Sequence, residues 1–240
     1  VEVKGEGELV TFPFFNKKGD QYEGLNLDGF KQTLLEQRNR NKAIVFLNFP
    51  NNPTGYSPTV SEIEGIIQTM YDAAEQGIDI LAVTDDAYFG LFYEQGTYTQ
   101  SLFARLASLH ERVLAVKIDG STKEEFAWGF RVGFVTFGSK GLNADQYQAL
   151  EKKLMGSIRG AVSNSSVIAQ NLLIKLLESP SHQAEKQVFA DELRKRYEAA
   201  RSCISSADSE VLTPLPFNSG YFMSFELNGV SAEALRKKLL

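Results

Sequence analysis

Residues 43–83 read AIVFLNFPNNPTGYSPTVSEIEGIIQTMYDAAEQGIDILAV, and this stretch decides the fold. It opens on five apolar residues, Ala43 to Leu47, a run short enough for a strand and apolar enough for one buried on both faces. Turn formers follow in Pro50-Asn51-Asn52-Pro53-Thr54-Gly55. From Ser61 the apolar period becomes helical, with Ile63, Ile66, Ile67, Met70, Ala73 and Ala74 along one face. Ser61 and Glu64 have the spacing of a capping box, and Gly77 supplies a stop. Ile78 to Val83 is then a second buried run. Strand, helix and strand in that order predict a parallel sheet.

The same alternation continues outward. A helix is expected around Leu102 to Leu109, a third strand at Val113 to Val116 and a fourth at Val132 to Phe137. Beyond residue 143 the pattern turns helical: Ala144 to Ile158, Ser163 to Leu177, and a long charged helix from Ser181 to about Ser205 with Pro180 at its start. A short strand, Tyr221 to Phe225, and a helix from Ala232 to Leu240 close the chain. The expected fold is α/β, a mostly parallel sheet with helices on both faces followed by the start of a small α+β domain. Residues 1–190 are assigned to the large domain and 191–240 to the small one, with the boundary inside the long helix.

Composition narrows the function classes. With 25 basic and 30 acidic residues the 240-residue chain carries a net charge of −5, no surplus with which to neutralise a nucleic acid backbone. One cysteine, Cys203, excludes an internal disulfide framework, and His110 and His182 are too far apart for metal-ligand spacing. No stretch approaches the roughly 18 uncharged apolar residues of a membrane helix, so the expected location is the cytoplasm with no membrane partner. The sequon Asn164-Ser165-Ser166 carries no weight on its own. Without an initial Met, and with its last residue inside a helix, the chain reads as a piece of a longer protein.

In open α/β sheets ligands bind beyond the carboxyl ends of the strands. The first three runs are followed there by Asn52-Pro53-Thr54-Gly55, by Asp85-Asp86-Ala87-Tyr88 and by Asp119-Gly120-Ser121-Thr122-Lys123. Taken singly, each has a plain explanation. The first is a good turn, the paired acids can cap a helix, Lys123 can be a surface charge, and Trp128, Phe130 and Arg131 can be core packing with a snorkelling cation. Turn formation alone does not explain why an amide, a carboxylate, a phenol, hydroxyls and an amine recur at successive strand ends.

Asn52-Pro-Thr-Gly55, then Asp85-x-Ala-Tyr88, then Ser-Thr-Lys123 with Arg131 eight residues on, resembles the fold-type I pyridoxal-phosphate enzymes, in particular the class I/II aminotransferases. The likeness runs from about residue 25 to the end, with the long helix similar to the family's connector between domains. It implies pyridoxal 5'-phosphate as cofactor, amino acid and 2-oxo acid substrates, and a homodimer. Lys123 would hold the cofactor aldehyde as a Schiff base and then carry a proton as general base and acid. Asp85 would pair with the pyridine N–H, and Asn52 and Tyr88 would hydrogen-bond the ring oxygen. Arg131 would take the phosphate with help from Ser121 or Thr122. The family often has Ser three residues before its lysine, where this chain has Gly120. Its glycine-rich phosphate loop, ring-stacking aromatic and substrate-carboxylate arginine are expected outside this chain. Asp85 is preferred to Asp86 by motif alone, since adjacent strand residues face opposite ways.

Other motifs fail on detail. Gly133 to Gly138 has phosphate-loop spacing but Ser139 in place of the lysine, and Gly5-Glu6-Gly7 is a fragment of a dinucleotide fingerprint. Ser121 and Lys123 do not form Ser-x-x-Lys, because Glu124 takes the third place. The rivals that remain are a β-lyase or decarboxylase of the same fold, and a catalytically incompetent fragment.

Overall fold

The computed structural model describes residues 7–206 and 210–240; Gly5 of the glycine pair lies outside the described residues. The four expected strands form one sheet in the order β3 (Lys42–Asn48), β4 (Asp79–Asp85), β5 (Val113–Gly120), β6 (Gly133–Gly138). β3, β4 and β5 run parallel, and β6 pairs antiparallel with β5. Only 12 residues separate β5 from β6, at the lower limit for a parallel crossover, so the chain turns back instead.

The pleat divides the sheet into two chemically different faces. Ala43, Val45 and Leu47 on β3 are in register with Ile80, Ala82 and Thr84 on β4, and all six are buried. Five of these join the apolar core with Ile63, Ile66, Ile67 and Met70 of α2 (Val60–Glu75) and Leu106 of α3 (Phe103–Ala107). On the opposite face Ile44 is 55% and Phe46 61% exposed.

Four short elements precede this sheet without having announced themselves in the sequence. A hairpin, β1 (Phe15–Lys18) and β2 (Gln21–Leu25), leads into α1 (Leu27–Leu35) and a 3-10 turn, Glu36–Arg40. Phe15, Leu25, Phe30 and Leu34 fasten them to the core.

The start of α2 differs from the expected capping box. Thr59, not Ser61, is the N-cap, and its partner is Glu62. Glu62 also accepts from Leu25 N and Tyr56 Oη, so this register ties hairpin and helix together. Glu64 pairs instead with Arg105 of α3.

After β5 comes a single helical turn, α4 (Ser121–Glu124), and after β6 three long helices, α5 (Ala144–Ala161), α6 (Val167–Leu177) and α7 (His182–Ser206). α6 starts later than expected because Ser163 is left-handed (φ 71) and Ser166 is the N-cap. The expected strand at Tyr221 to Phe225 is displaced as well. The short pair is β7 (Leu212–Pro214) with β8 (Phe225–Leu227), ahead of α8 (Ala232–Leu239), while the rings of Tyr221 and Phe222 are drawn onto Tyr88. Among the described residues no helix is long and apolar enough to cross a membrane.

Candidate functional site

Parallel pairing of β3, β4 and β5 puts their carboxyl ends side by side, which brings three loops together. Asn48 ends β3 and is in register with Asp85, which is in register with Ile118 on β5. The Asn48 side chain links two of the loops: its Oδ1 accepts from Asn52 N at 2.8 Å, and its Nδ2 donates to the Asp85 carbonyl at 3.3 Å. Nothing in the motif pattern pointed to Asn48. Its only signal is a polar residue closing an apolar run.

At the centre lies Tyr88, buried at 7% exposure. Its hydroxyl accepts from Asn52 Nδ2 at 3.4 Å, and the Lys123 ammonium stands 4.6 Å from its ring centroid, within cation–π reach. Tyr221 and Phe222 meet the same ring edge-on at 5.3 and 5.2 Å. Burial, and next the adjoining Tyr88, push the Tyr221 phenol up to about 12. The structure brings Asn52, Tyr88 and Lys123 together, and adds Tyr221 and Phe222, which the sequence reading did not single out as part of the site.

The two acids separate by face. Asp86 turns into the helix-covered layer with Thr84, and both are buried. One of its carboxylate oxygens has no hydrogen-bond partner among the described residues, and Lys117 Nζ is 3.9 Å from it. Burial pushes the Asp86 carboxyl up, opposed by Ser101 and Lys117. Asp85 lies on the open face and is only partly buried. The helix-capping role expected for these acids is not seen, because a turn follows the strand in place of a helix; one Asp85 oxygen instead accepts from Ala87 N within that turn, at 3.1 Å.

Of the groups expected near a phosphate, Ser121 is buried and donates to the Val132 carbonyl at 3.4 Å, Thr122 is half-buried, and Arg131 is exposed in a left-handed conformation (φ 55). Gly120 has a structural reason. A Cβ there would meet the Val132 carbonyl oxygen at 2.8 Å across the β5–β6 pair, so the position held by serine in the resembling family is sterically closed here.

The strand ends of this α/β layer thus gather an amine, a phenol and an amide, with a partly buried carboxylate beside them. The chain belongs to the family described as aminotransferase class I and II, which matches residues 6–240. Among solved structures it is similar to an aminotransferase from Anaerococcus prevotii (25% identity, TM-score 0.74, covering 94% of this chain and 54% of that one). It is also similar in fold to an aromatic aminotransferase from Pyrococcus horikoshii (16% identity, TM-score 0.70, covering 90% and 52%). A third likeness of fold is to an aromatic-amino-acid aminotransferase from Burkholderia pseudomallei covalently bound to pyridoxal phosphate (21% identity, TM-score 0.60, covering 81% and 45%). The chain therefore spans about half the length of these solved relatives. Comparison with curated proteins returned no match.

Proposed function

We propose that the complete protein is a pyridoxal-phosphate-dependent aminotransferase that moves an amino group between an amino acid and a 2-oxo acid, working as a homodimer. The observation that carries this reading is the placement of the Lys123 amine against Tyr88, whose hydroxyl is held by Asn52, at the ends of successive parallel strands. The donor set fits the cofactor in kind. Lys123 forms none of the salt bridges found among the described residues and is free to hold an aldehyde. Asp85 has a carboxylate oxygen left over for the pyridine N–H. Asn52 and Tyr88 supply donors for the ring oxygen, and Arg131 supplies an exposed guanidinium for the phosphate, with Ser121 and Thr122 at the same turn.

When bound, the cofactor supplies an electron sink for the pair left at the substrate Cα. The chain's own work is to hold and move protons around it. Lys123 would hold the cofactor and would supply the amine that takes up and gives back the substrate Cα proton. Asp85 would hold the protonated pyridine nitrogen, and the Tyr88 ring with the Tyr221 and Phe222 edges would shield one side of the amine from water.

The test uses the full-length protein. Pyridoxal phosphate is added, the protein is reduced with borohydride, and the labelled peptide is mapped. Label on Lys123, abolished in Lys123→Ala together with amino transfer from an amino acid to a 2-oxo acid, is the expected result. Label retained in Lys123→Ala refutes the assignment. Lyase or decarboxylase products in place of the exchanged amino acid refute the reaction while keeping the cofactor.

A further inference from the structure

The turn that carries Lys123 is too short to hold itself. α4 has four residues, its N-cap Gly120 has no side chain to offer, and Phe126 just beyond it is left-handed (φ 52), a conformation that persists in a bulky residue only when neighbours enforce it. Packing does not enforce it alone, because a cavity of about 300 Å³ opens beside the turn, bounded by Trp128, Phe130 and Leu176. Glu125 is the residue that closes the turn. Its backbone N–H reaches the carbonyls of Ser121 and Lys123.

The Glu125 side chain leaves the turn for α7. One oxygen is 2.6 Å from His182 Nε2, and the other accepts from Lys186 Nζ at 2.9 Å. These bonds are sheltered: the side chains of Glu125 and His182 are 14% and 4% exposed, so they are screened far less than surface pairs. Phe126 adds a ring contact to Phe189 at 5.4 Å. His182, Lys186 and Phe189 stand at i, i+4 and i+7, one face of α7.

We propose that Glu125 is a positioning residue: gripped by His182 and Lys186, it fixes the one-turn helix after β5 and so holds the Lys123 amine over Tyr88. The inference rests on the reading of Lys123 as the reacting amine. It assigns work to α7 and to a carboxylate that neither touches substrate nor belongs to the motif set.

The experiment uses the full-length enzyme. Glu125→Ala removes both acceptor oxygens, and Glu125→Gln keeps one. In Glu125→Ala, hydrogen exchange of amides 121–127 in the apoenzyme should quicken and capture of pyridoxal phosphate should slow. Its kcat should fall on the order of 10²-fold, the scale set by misplacement of a reacting group by about an ångström, with KM for the amino donor little changed. Glu125→Gln should recover most of all three readouts. Should Glu125→Ala fail to fold, Lys186→Met removes one arm of the grip at a less buried position, and the same readouts should move in the same direction by a smaller factor. The proposal is overturned if either variant loses only thermal stability while exchange, capture rate and kcat stay at the parent values. Exchange in the apoenzyme reads the grip without the cofactor. A Lys123→Ala protein that still captures it would therefore sink the functional reading and leave the grip standing or falling on its own measurement.

Discussion

Replacing Gly55 by alanine joins two separable penalties at the loop that presents Asn52. Gly55 has φ +72, so alanine there adopts the left-handed conformation at about 1–2 kcal/mol. Its Cβ would also sit 2.1 Å from the Phe222 carbonyl oxygen and 3.0 Å from that of Ser219, both backbone atoms that cannot rotate away. Forced overpacking adds about 1–3 kcal/mol. Separation of the two segments also strains the bonds by which Asn218 N and Ser219 N donate to Gly55 O, both 2.9 Å, at about 1 kcal/mol. The expected total is about 3–6 kcal/mol, the sum of those three contributions. Gly19→Ala is the internal control: it is left-handed too (φ +61), with nothing within 4 Å of its Cβ, and should lose only the conformational part. Urea unfolding of the full-length protein and both variants measures the difference. Because Phe222 bears on Tyr88, cofactor capture should also slow in Gly55→Ala and not in Gly19→Ala. Equal losses for the two alanines would refute the account of the clash.

Two further outcomes follow from buried polar groups. Burial holds the Asp86 carboxyl above its ordinary range, so the folded state binds its proton more tightly than the unfolded chain. The stability from that proton is present at pH below the ordinary carboxylate value and is lost as pH rises through the raised folded one; Asp86→Asn should therefore be more stable than the parent at pH 7, with the gain shrinking toward pH 4. A gain independent of pH in urea unfolding would contradict this. Glu62→Ala strands Tyr56 Oη, Leu25 N and Thr59 N, which Glu62 binds at 2.6 to 3.0 Å. It should lose about 2–4 kcal/mol and open the first hairpin, read as faster exchange at Leu25.

How much could be read without coordinates depended on whether burial or pairing set the local choice. The four sheet strands were legible because runs such as Ala43 to Leu47 leave few alternatives, whereas β6 reads the same in either direction and its antiparallel course lay in the length of a connection. The first hairpin was not legible: after Phe15 its first strand is exposed at Asn16, Lys17 and Lys18, and the alternation in the second is only five residues long, Gln21 to Leu25, and broken by Gly24. At α2, Thr59 and Ser61 both have Glu three residues on, and local chemistry cannot choose between them. The tie is broken by Leu25 and Tyr56, contacts that exist only in the folded molecule. Asp85 and Asp86 were likewise interchangeable until the pleat sent one into the helix-covered layer.

The candidate site divides in the same way. Asn52, Tyr88 and Lys123 were visible because each has a side-chain type that chemistry requires. The residues that set their mutual distances have no such signature. Ser57 and Asn218 exchange two hydrogen bonds of 2.8 Å, and Ser219 Oγ donates to Gly55 O at 3.1 Å, all in buried positions more than 150 residues apart in sequence. These bonds press the Tyr221–Phe222 edge onto Tyr88 from one side, as Glu125 holds the Lys123 turn from the other. The order of an amide, a phenol and an amine along a chain therefore indicates which chemistry is available. Whether the amine stands 4.6 Å from the ring is decided by serines, a glycine and an unremarked carboxylate that act through the backbone.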